Sequence, residues 1–196
     1  MSHREARPTG QWFATSAARR WWFDSGSLAL DFGYTGAFGK NPAWERLQGT
    51  ADLDGWLAER FPEVDAPVTE GDLVDALTLR AAIARAATAI SRDEVPGRDD
   101  VDVINLFAAT PDIPPALAGG ARQAGRSRAR VGQTMSRMAR EAVELFSAEQ
   151  HERIRECSAD DCALVFYDES RSNNRRWCSM QRCGNRAKVR KHRLSR

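Results

Sequence analysis

A chain of 196 residues with 42% hydrophobic side chains can bury a core of ordinary size and still carry one small module beside it. It has no run of eighteen apolar residues, which excludes a hydropathy-defined membrane-spanning helix and leaves no membrane partner to expect. The net charge of +2 joins two unlike parts. From Cys157 onward ten Lys or Arg stand against four Asp or Glu, which is +6, so residues 1–156 carry −4.

In chain order, residues 1–20 mix Arg, Ser, Thr, Ala and Gly with only Trp12 and Phe13 as large apolar groups, and read as a disordered lead. They hold no apolar stretch of the kind a secretory signal needs, so a cytoplasmic protein is expected. Trp21, Trp22 and Phe23 open the folded part, a domain expected over 21–150. Ser27 to Phe32 (SLALDF) is a short apolar run and reads as a buried strand. In the following GYTGAFGKN, Tyr34 stands where a phosphate-binding loop needs its first glycine and Asn41 where it needs Ser or Thr, so the reading is a glycine-rich turn. Asp31-Phe32-Gly33 spells DFG, but no kinase catalytic loop accompanies it.

Thr50 is a candidate N-cap, with Asp52 and Asp54 in the first turn of a helix that uses Leu53, Trp56 and Leu57 and stops at Phe61-Pro62. Thr69 caps a longer helix to about Arg92. Its apolar positions Leu73, Leu77, Ala84 and Ala87 are flanked by Ala76, Leu79, Ile83 and Ile90, a stripe wide enough for a central helix with several neighbours. Arg80, within it, either pairs with an acid of the domain or reaches a ligand. Val95 to Asp99 reads as a loop and Asp102 to Ala109 as a short helix with Val103, Ile104 and Phe107 inward. Residues 119–130 lack a period and carry Arg122, Arg126, Arg128 and Arg130, with Arg137 beyond. They read as a solvated basic loop or an accessory phosphate contact. Gln133 to Ser147 reads as a helix with Met135, Met138, Ala142, Leu145 and Phe146 inward.

All four cysteines lie in the last forty residues, as CSADDC and CSMQRC separated by fifteen residues. Four thiolates can close a tetrahedral shell around one Zn2+, and a closed shell marks a structural site. The C-x4-C gaps are wider than the usual C-x2-C. Disulfides, unrelated thiols and an iron–sulfur cluster are the alternatives; the missing secretory signal weighs against the first and the matched pairing against the others. Cys157, Cys162, Cys178 and Cys183 are therefore the candidate ligands of one structural zinc. Its loss should unfold the tail and spare the helical body.

Between the pairs, Ala163 to Tyr167 is β-prone, Asp168 to Asn174 suits a turn, and Arg175 to Trp177 can return as the second strand of a hairpin. Ser179 can cap a helix over about Arg182 to Arg193. A hairpin between two cysteine pairs followed by a helix resembles a treble-clef finger. The fold class expected is thus mostly α with a small β component: a helical N-terminal domain, then a four-cysteine finger over 151–196. The finger is too small and polar to fold without its metal.

From Arg171 to Arg196 there are ten basic residues and no acid. A basic tail on an acidic body is the footprint of nucleic-acid binding, unless it is a solvated face. At helical spacing Arg182, Arg186, Arg190 and Arg193 fall close to one stripe, with Lys188 and Lys191 beside it. These six, with Arg175 and Arg176 of the hairpin, are the candidate contacts to double-stranded DNA. The preference for Arg over Lys suits two-pronged contacts to guanine or phosphate. Asn185 is expected to fix the knuckle and Trp177 to pack under the metal.

The run RRWCSMQRCGNRAKVRKH resembles the CGNR zinc finger, whose name is spelled by Cys183, Gly184, Asn185 and Arg186. The likeness extends through both cysteine pairs and FYDESR. In that family the finger follows a domain named ABATE, of stress-induced transcription regulators. SLALDFGYTG is similar to the start of that domain, with Tyr34 where Asn is usual. The resemblance implies a zinc-dependent, DNA-binding transcription regulator. An N-terminal sensor would place its small-molecule effector near the SLALDFGYTG turn, with Asp31, Tyr34 and Arg80 as its polar groups.

No catalytic set is visible. His3, His151 and His192 are scattered, His151-Glu152 lacks the second histidine of a zinc protease, and no cysteine is left over as a nucleophile. The protein is expected not to be an enzyme. An RNA-binding protein stacking bases on Trp177 and a protein-interaction module with a purely architectural zinc are the other readings. The target sequence, the effector and the oligomeric state, a homodimer included, are left open.

Overall fold

The computed structural model describes residues 9–14, 20–36, 38, 44–62, 64, 67–113 and 129–194. Gln11–Ala14 (β1) and Arg20–Phe23 (β2) form an antiparallel ribbon that sets Phe13 opposite Trp21 and Trp12 opposite Trp22. Alternation sends Phe13, Trp21 and Phe23 into the core and leaves Trp12 and Trp22 outside. Gln11–Ala14 thus form a strand within the lead expected to be disordered over 1–20, of which residues 1–8 and 15–19 lie outside the described residues. The strand is too short to show a period, and the rings of Trp21, Phe23, Tyr34 and Trp44 around Phe13 hold it in place.

SLALDF is not a strand. Leu28–Gly33 form a helix, α1, buried along its whole length. An apolar run buried on all sides has no period by which to tell helix from strand. The first turn of α1 is capped locally and remotely: Ser27 Oγ accepts from Leu30 N, and the carboxylate of Glu141, 114 residues from Ser27, accepts from Ser27 Oγ (2.8 Å) and Leu28 N (2.9 Å). An acid there satisfies an orphan N–H and suits the helix dipole.

Thr50–Arg60 (α2) begins one residue from the expected cap. Gly49 is the N-cap, and Asp52 accepts from the amides of Gln48 and Gly49 (2.9 and 3.0 Å). Glu70–Ile90 (α3) is capped as expected: Thr69 Oγ1 accepts from Asp72 N and Asp72 Oδ2 accepts from Thr69 N. Arg98–Ala109 (α4) starts inside the expected loop. Gly97 is its N-cap, and Asp100, in the first turn, is held by the Arg85 guanidinium. Val131–Leu145 (α5) buries Met135, Met138, Ala142 and Leu145. Of the Arg-rich segment, 119–128 lie outside the described residues. Ala129 makes a single parallel bridge to Val64, Arg130 is exposed, and Arg137 pairs with Asp112 (3.2 Å). The wide apolar stripe of α3 meets α1, α2, α4 and α5, as its breadth demands.

A short turn of helix, His151–Arg153, leads into Ile154–Glu156 (β3), antiparallel to Val165–Tyr167 (β4). The strand near Ala163–Tyr167 is present, but its partner is β3 and not Arg175–Trp177. That second stretch is held otherwise: Arg176 O accepts from Ser158 N (2.9 Å) beside the first cysteine, and the Asp168 carboxylate accepts from Ser170 N and Arg175 N (2.9 and 2.7 Å) and folds the loop back on itself. A wide turn, Met180–Gly184, precedes Asn185–Leu194 (α6), so the final helix begins later than Arg182. In that turn the amides of both Cys183 and Gly184 donate to the Ser179 carbonyl, and the Ser179 side chain makes no capping bond. No helix of the described residues is long and apolar enough to cross a membrane.

Candidate metal centre and nucleic-acid interface

The first cysteine pair brackets the approach to β4 and the second brackets the turn into α6, so two loops bring four sulfurs together. Their ligand atoms lie within 4.8 Å of one another, with Cys162–Cys178 at 3.8 Å and Cys178–Cys183 at 3.5 Å. Tetrahedral Zn–S bonds of ~2.3 Å require sulfurs about 3.8 Å apart, so the set fits a zinc ion. Cys157, Cys178 and Cys183 are buried and Cys162 is half-buried. The thiols cannot all ionise unaided. Cys157 is held low by hydrogen bonds from Cys162 and Cys178, while Cys162, donating to Cys157 and buried, is pushed up to about 12, and Cys178 rises for the same reasons. A divalent cation removes that conflict. The four cysteines form one structural zinc site, in which the ion would cross-link the two loops.

The inner side of this module is part of the body's core. Leu164, Val165 and Phe166 are buried in one apolar cluster with α1, α3 and α5. The Tyr34 hydroxyl, fully buried, donates to Val165 O (2.9 Å) and accepts from Val165 N (2.6 Å). Tyr167 N donates to Ser25 O (2.8 Å). Gly26, at φ 77°, lets its backbone lie against the Tyr167 carbonyl, where a Cβ would sit 2.5 Å from the oxygen.

The basic residues divide. Arg175 points inward: its guanidinium lies 4.1 Å over the Phe166 ring and donates to the carbonyls of Asp24, Trp177 and Cys178. Arg182 stacks 4.8 Å over Trp21, the inward tryptophan of the ribbon. Both are half-buried and join the finger to the body, where the sequence led to an outward face. Arg176 is exposed and lies 5.3 Å from the Trp177 ring; Trp177 itself is half-buried and close to Gly184. On α6, Arg186, Lys188, Arg190 and Arg193 are exposed, and the Lys191 side chain lies outside the described residues. Arg186 pairs with Asp161 (2.6 Å) and Arg190 with Asp160. Sequence reasoning missed this acidic pair of the first knuckle, although its place between two ligands was a visible signal.

Among the described residues, Asp31, Tyr34 and Arg80, the polar groups expected to hold an effector, are each engaged by the protein, and residues 37 and 39–43 of the turn lie outside the described residues. Asp31 accepts from Gly10 N (2.5 Å) and Ser25 Oγ (2.6 Å), and burial raises its pKa to about 6 against those two bonds. Tyr34 binds β4. Arg80 holds Glu45 with two bonds (2.7 and 2.8 Å) and the Thr35 carbonyl with a third (3.2 Å). A cleft of about 740 Å3 opens at the start of the SLALDF run, between α1, α5 and β4, beside Ser27, Leu28, Glu141, Gln150, Tyr167 and Glu169, and Asp31, Tyr34 and Arg80 do not line it.

A helical body with a four-thiolate finger set into it is the class of protein that fold and site define. Residues 26–149 match the family model of ABATE, "Putative stress-induced transcription regulator", and residues 153–196 match the CGNR zinc finger. The first match spans more than half of the chain, so the protein belongs to the ABATE family and carries a CGNR zinc finger at its C-terminal end. Comparison with curated protein sequences finds no match.

Proposed function

We propose that the protein is a zinc-dependent transcriptional regulator of the cytoplasm, without enzymatic activity, that binds double-stranded DNA through α6. The observation that carries this reading is the outer face of that helix: Lys188, Arg190 and Arg193 are exposed on an element that has no acid of its own and is held at its start by the metal loops. A helix fits the major groove, and a rigid mount limits the entropy lost on binding. Asp160, paired with Arg190, must yield when a phosphate approaches. Trp177 lies against Gly184 beside the Arg176 guanidinium, which favours duplex recognition over base stacking on that ring.

The test is titration of labelled duplex, single-stranded DNA and RNA at two salt concentrations. Duplex preference with steep salt dependence is expected. Arg190→Ala with Arg193→Ala should keep the zinc, weaken duplex binding and lower the salt slope by about two, one for each phosphate no longer held. Unchanged affinity in that double variant removes α6 as the binding surface. Preference for single-stranded RNA supports an RNA-binding protein, and no binding at low salt leaves an interaction module.

A further inference from the structure

Of the basic residues on α6, Arg186 stands apart in what it touches. Its Nη2 donates to Cys183 Sγ at 3.2 Å and to Asp161 Oδ1 at 3.1 Å. Its Nη1 donates to Asp161 Oδ2 at 2.6 Å and its Nε to the Arg182 carbonyl at 3.1 Å. Four of its five N–H groups are thus directed within the finger. The spacing makes the sulfur contact natural, since Arg186 is three residues beyond Cys183 and lies one helical turn above it. Asp161, at the other end, immediately precedes Cys162. One side chain therefore spans from a ligand of the second knuckle to the neighbour of a ligand of the first.

Four thiolates around Zn2+ leave a net charge of −2, in a site where three of the four sulfurs belong to buried residues. A donor aimed at one sulfur draws off part of that charge, and outer partners of this kind tune metal affinity. The plain alternative is an exposed ion pair of small worth. The finger contains a control for it: Arg190 pairs with Asp160 across the same two elements, and no sulfur contact accompanies that pair.

We propose that Arg186 is a positioning residue of the metal centre, where it donates to the Cys183 thiolate, compensates the charge of the four-thiolate shell and ties the two knuckles together through Asp161. Arg186 thereby leaves the set of DNA readers. The inference does not depend on the DNA-binding reading, because its test measures the metal.

The experiment compares the full chain with Arg186→Gln and Arg190→Gln by chelator competition for zinc and by the absorption of the Co2+-substituted proteins. Arg186→Gln should weaken zinc binding by about 10- to 100-fold, the usual effect of removing an outer partner of a ligand, and Arg190→Gln by less than about 3-fold. Loss of an N–H···S bond leaves the sulfur richer in electrons, so the thiolate-to-cobalt band should move to longer wavelength in Arg186→Gln alone. A purely structural clasp would not move it. Equal weakening in both variants, or an unshifted band in Arg186→Gln whatever its affinity, overturns the proposal. Should Arg186→Gln fail to fold, NMR of the wild-type protein loaded with 113Cd decides. A guanidinium proton of Arg186 coupled to the metal across the hydrogen bond is expected, and a guanidinium exchanging freely with water overturns the assignment.

Discussion

The inner and outer faces of the zinc module use the same chemistry to opposite ends. On the inner face the Arg175 guanidinium lies flat on Phe166 and feeds three carbonyls, and Tyr34 bolts β4 to the body with both capacities of its hydroxyl. On the outer face Arg190 and Arg193 are exposed, and Arg190 meets an exposed carboxylate, Asp160, whose side chain is 82% accessible. The inner contacts are shielded, and at Tyr34 breaking one leaves buried backbone groups unpaired. The outer ones are screened, weak and exchangeable, as a surface that must trade one anion for another requires. Burial, not residue type, assigns the role. The finger is therefore a wedge in the body's core and not a bead on a tail.

The strongest way to break this contrast is to remove the metal. Chelation, or Cys178→Ser, should lower the melting of the body's helices together with the finger, in one transition, because both belong to one apolar cluster. Structural zinc is worth about 10–16 kcal/mol in isolated fingers. Helices that melt at an unchanged temperature after zinc is lost would show the two parts to be separable, as the sequence alone suggests.

A smaller effect tests the inner face directly. Tyr34→Phe keeps the ring but strips the partner from Val165 N and Val165 O, and should cost about 2–4 kcal/mol in urea unfolding of the zinc-loaded protein. A cost under about 0.5 kcal/mol means that the bolt carries nothing.

The inner face should also respond to pH. The pKa of Asp31 is raised from 3.8 to about 6 in the folded protein, chiefly by burial. With the folded value above the unfolded one, its contribution is fully present below about pH 4 and is lost as pH rises through 6, a change on the order of 3 kcal/mol. In Asp31→Asn the oxygen can still accept from Gly10 N, and the amide can donate to Ser25 Oγ. The stability of the variant relative to wild type should therefore increase between pH 4 and pH 7. A flat difference would mean that Asp31 keeps its ordinary pKa in the core.

The smallest effect belongs to the outer face. Asp160→Ala should change unfolding free energy by less than about 1 kcal/mol, and less again at high salt, because an exposed pair is screened. A loss larger than that would place the pair among the structural contacts and erase the contrast.

What the sequence determined by itself is whatever depends on near neighbours. Two cysteine pairs with matched gaps specify a shared metal, because each loop closes on its own ligands. The runs of α2, α3 and α5 repeat at the helical period, and Thr69 with Asp72 closes a cap within four residues, so these were legible. The concentration of charge on the last helix follows from counting. Only the tertiary structure decided the rest, because the deciding partner lies far along the chain. SLALDF, whose buried run has no period, is a helix whose first turn Glu141 reaches from 114 residues away. Ile154–Glu156 takes the place beside β4 that Arg175–Trp177 might have filled by proximity. Tyr34 finds Val165 at a separation of 131 residues and Arg175 finds Asp24 at 151, which turns a supposed ligand residue and a supposed DNA contact into parts of one core. A polar side chain's role is set by what faces it once the chain is closed, and neither its identity nor its spacing contains that information.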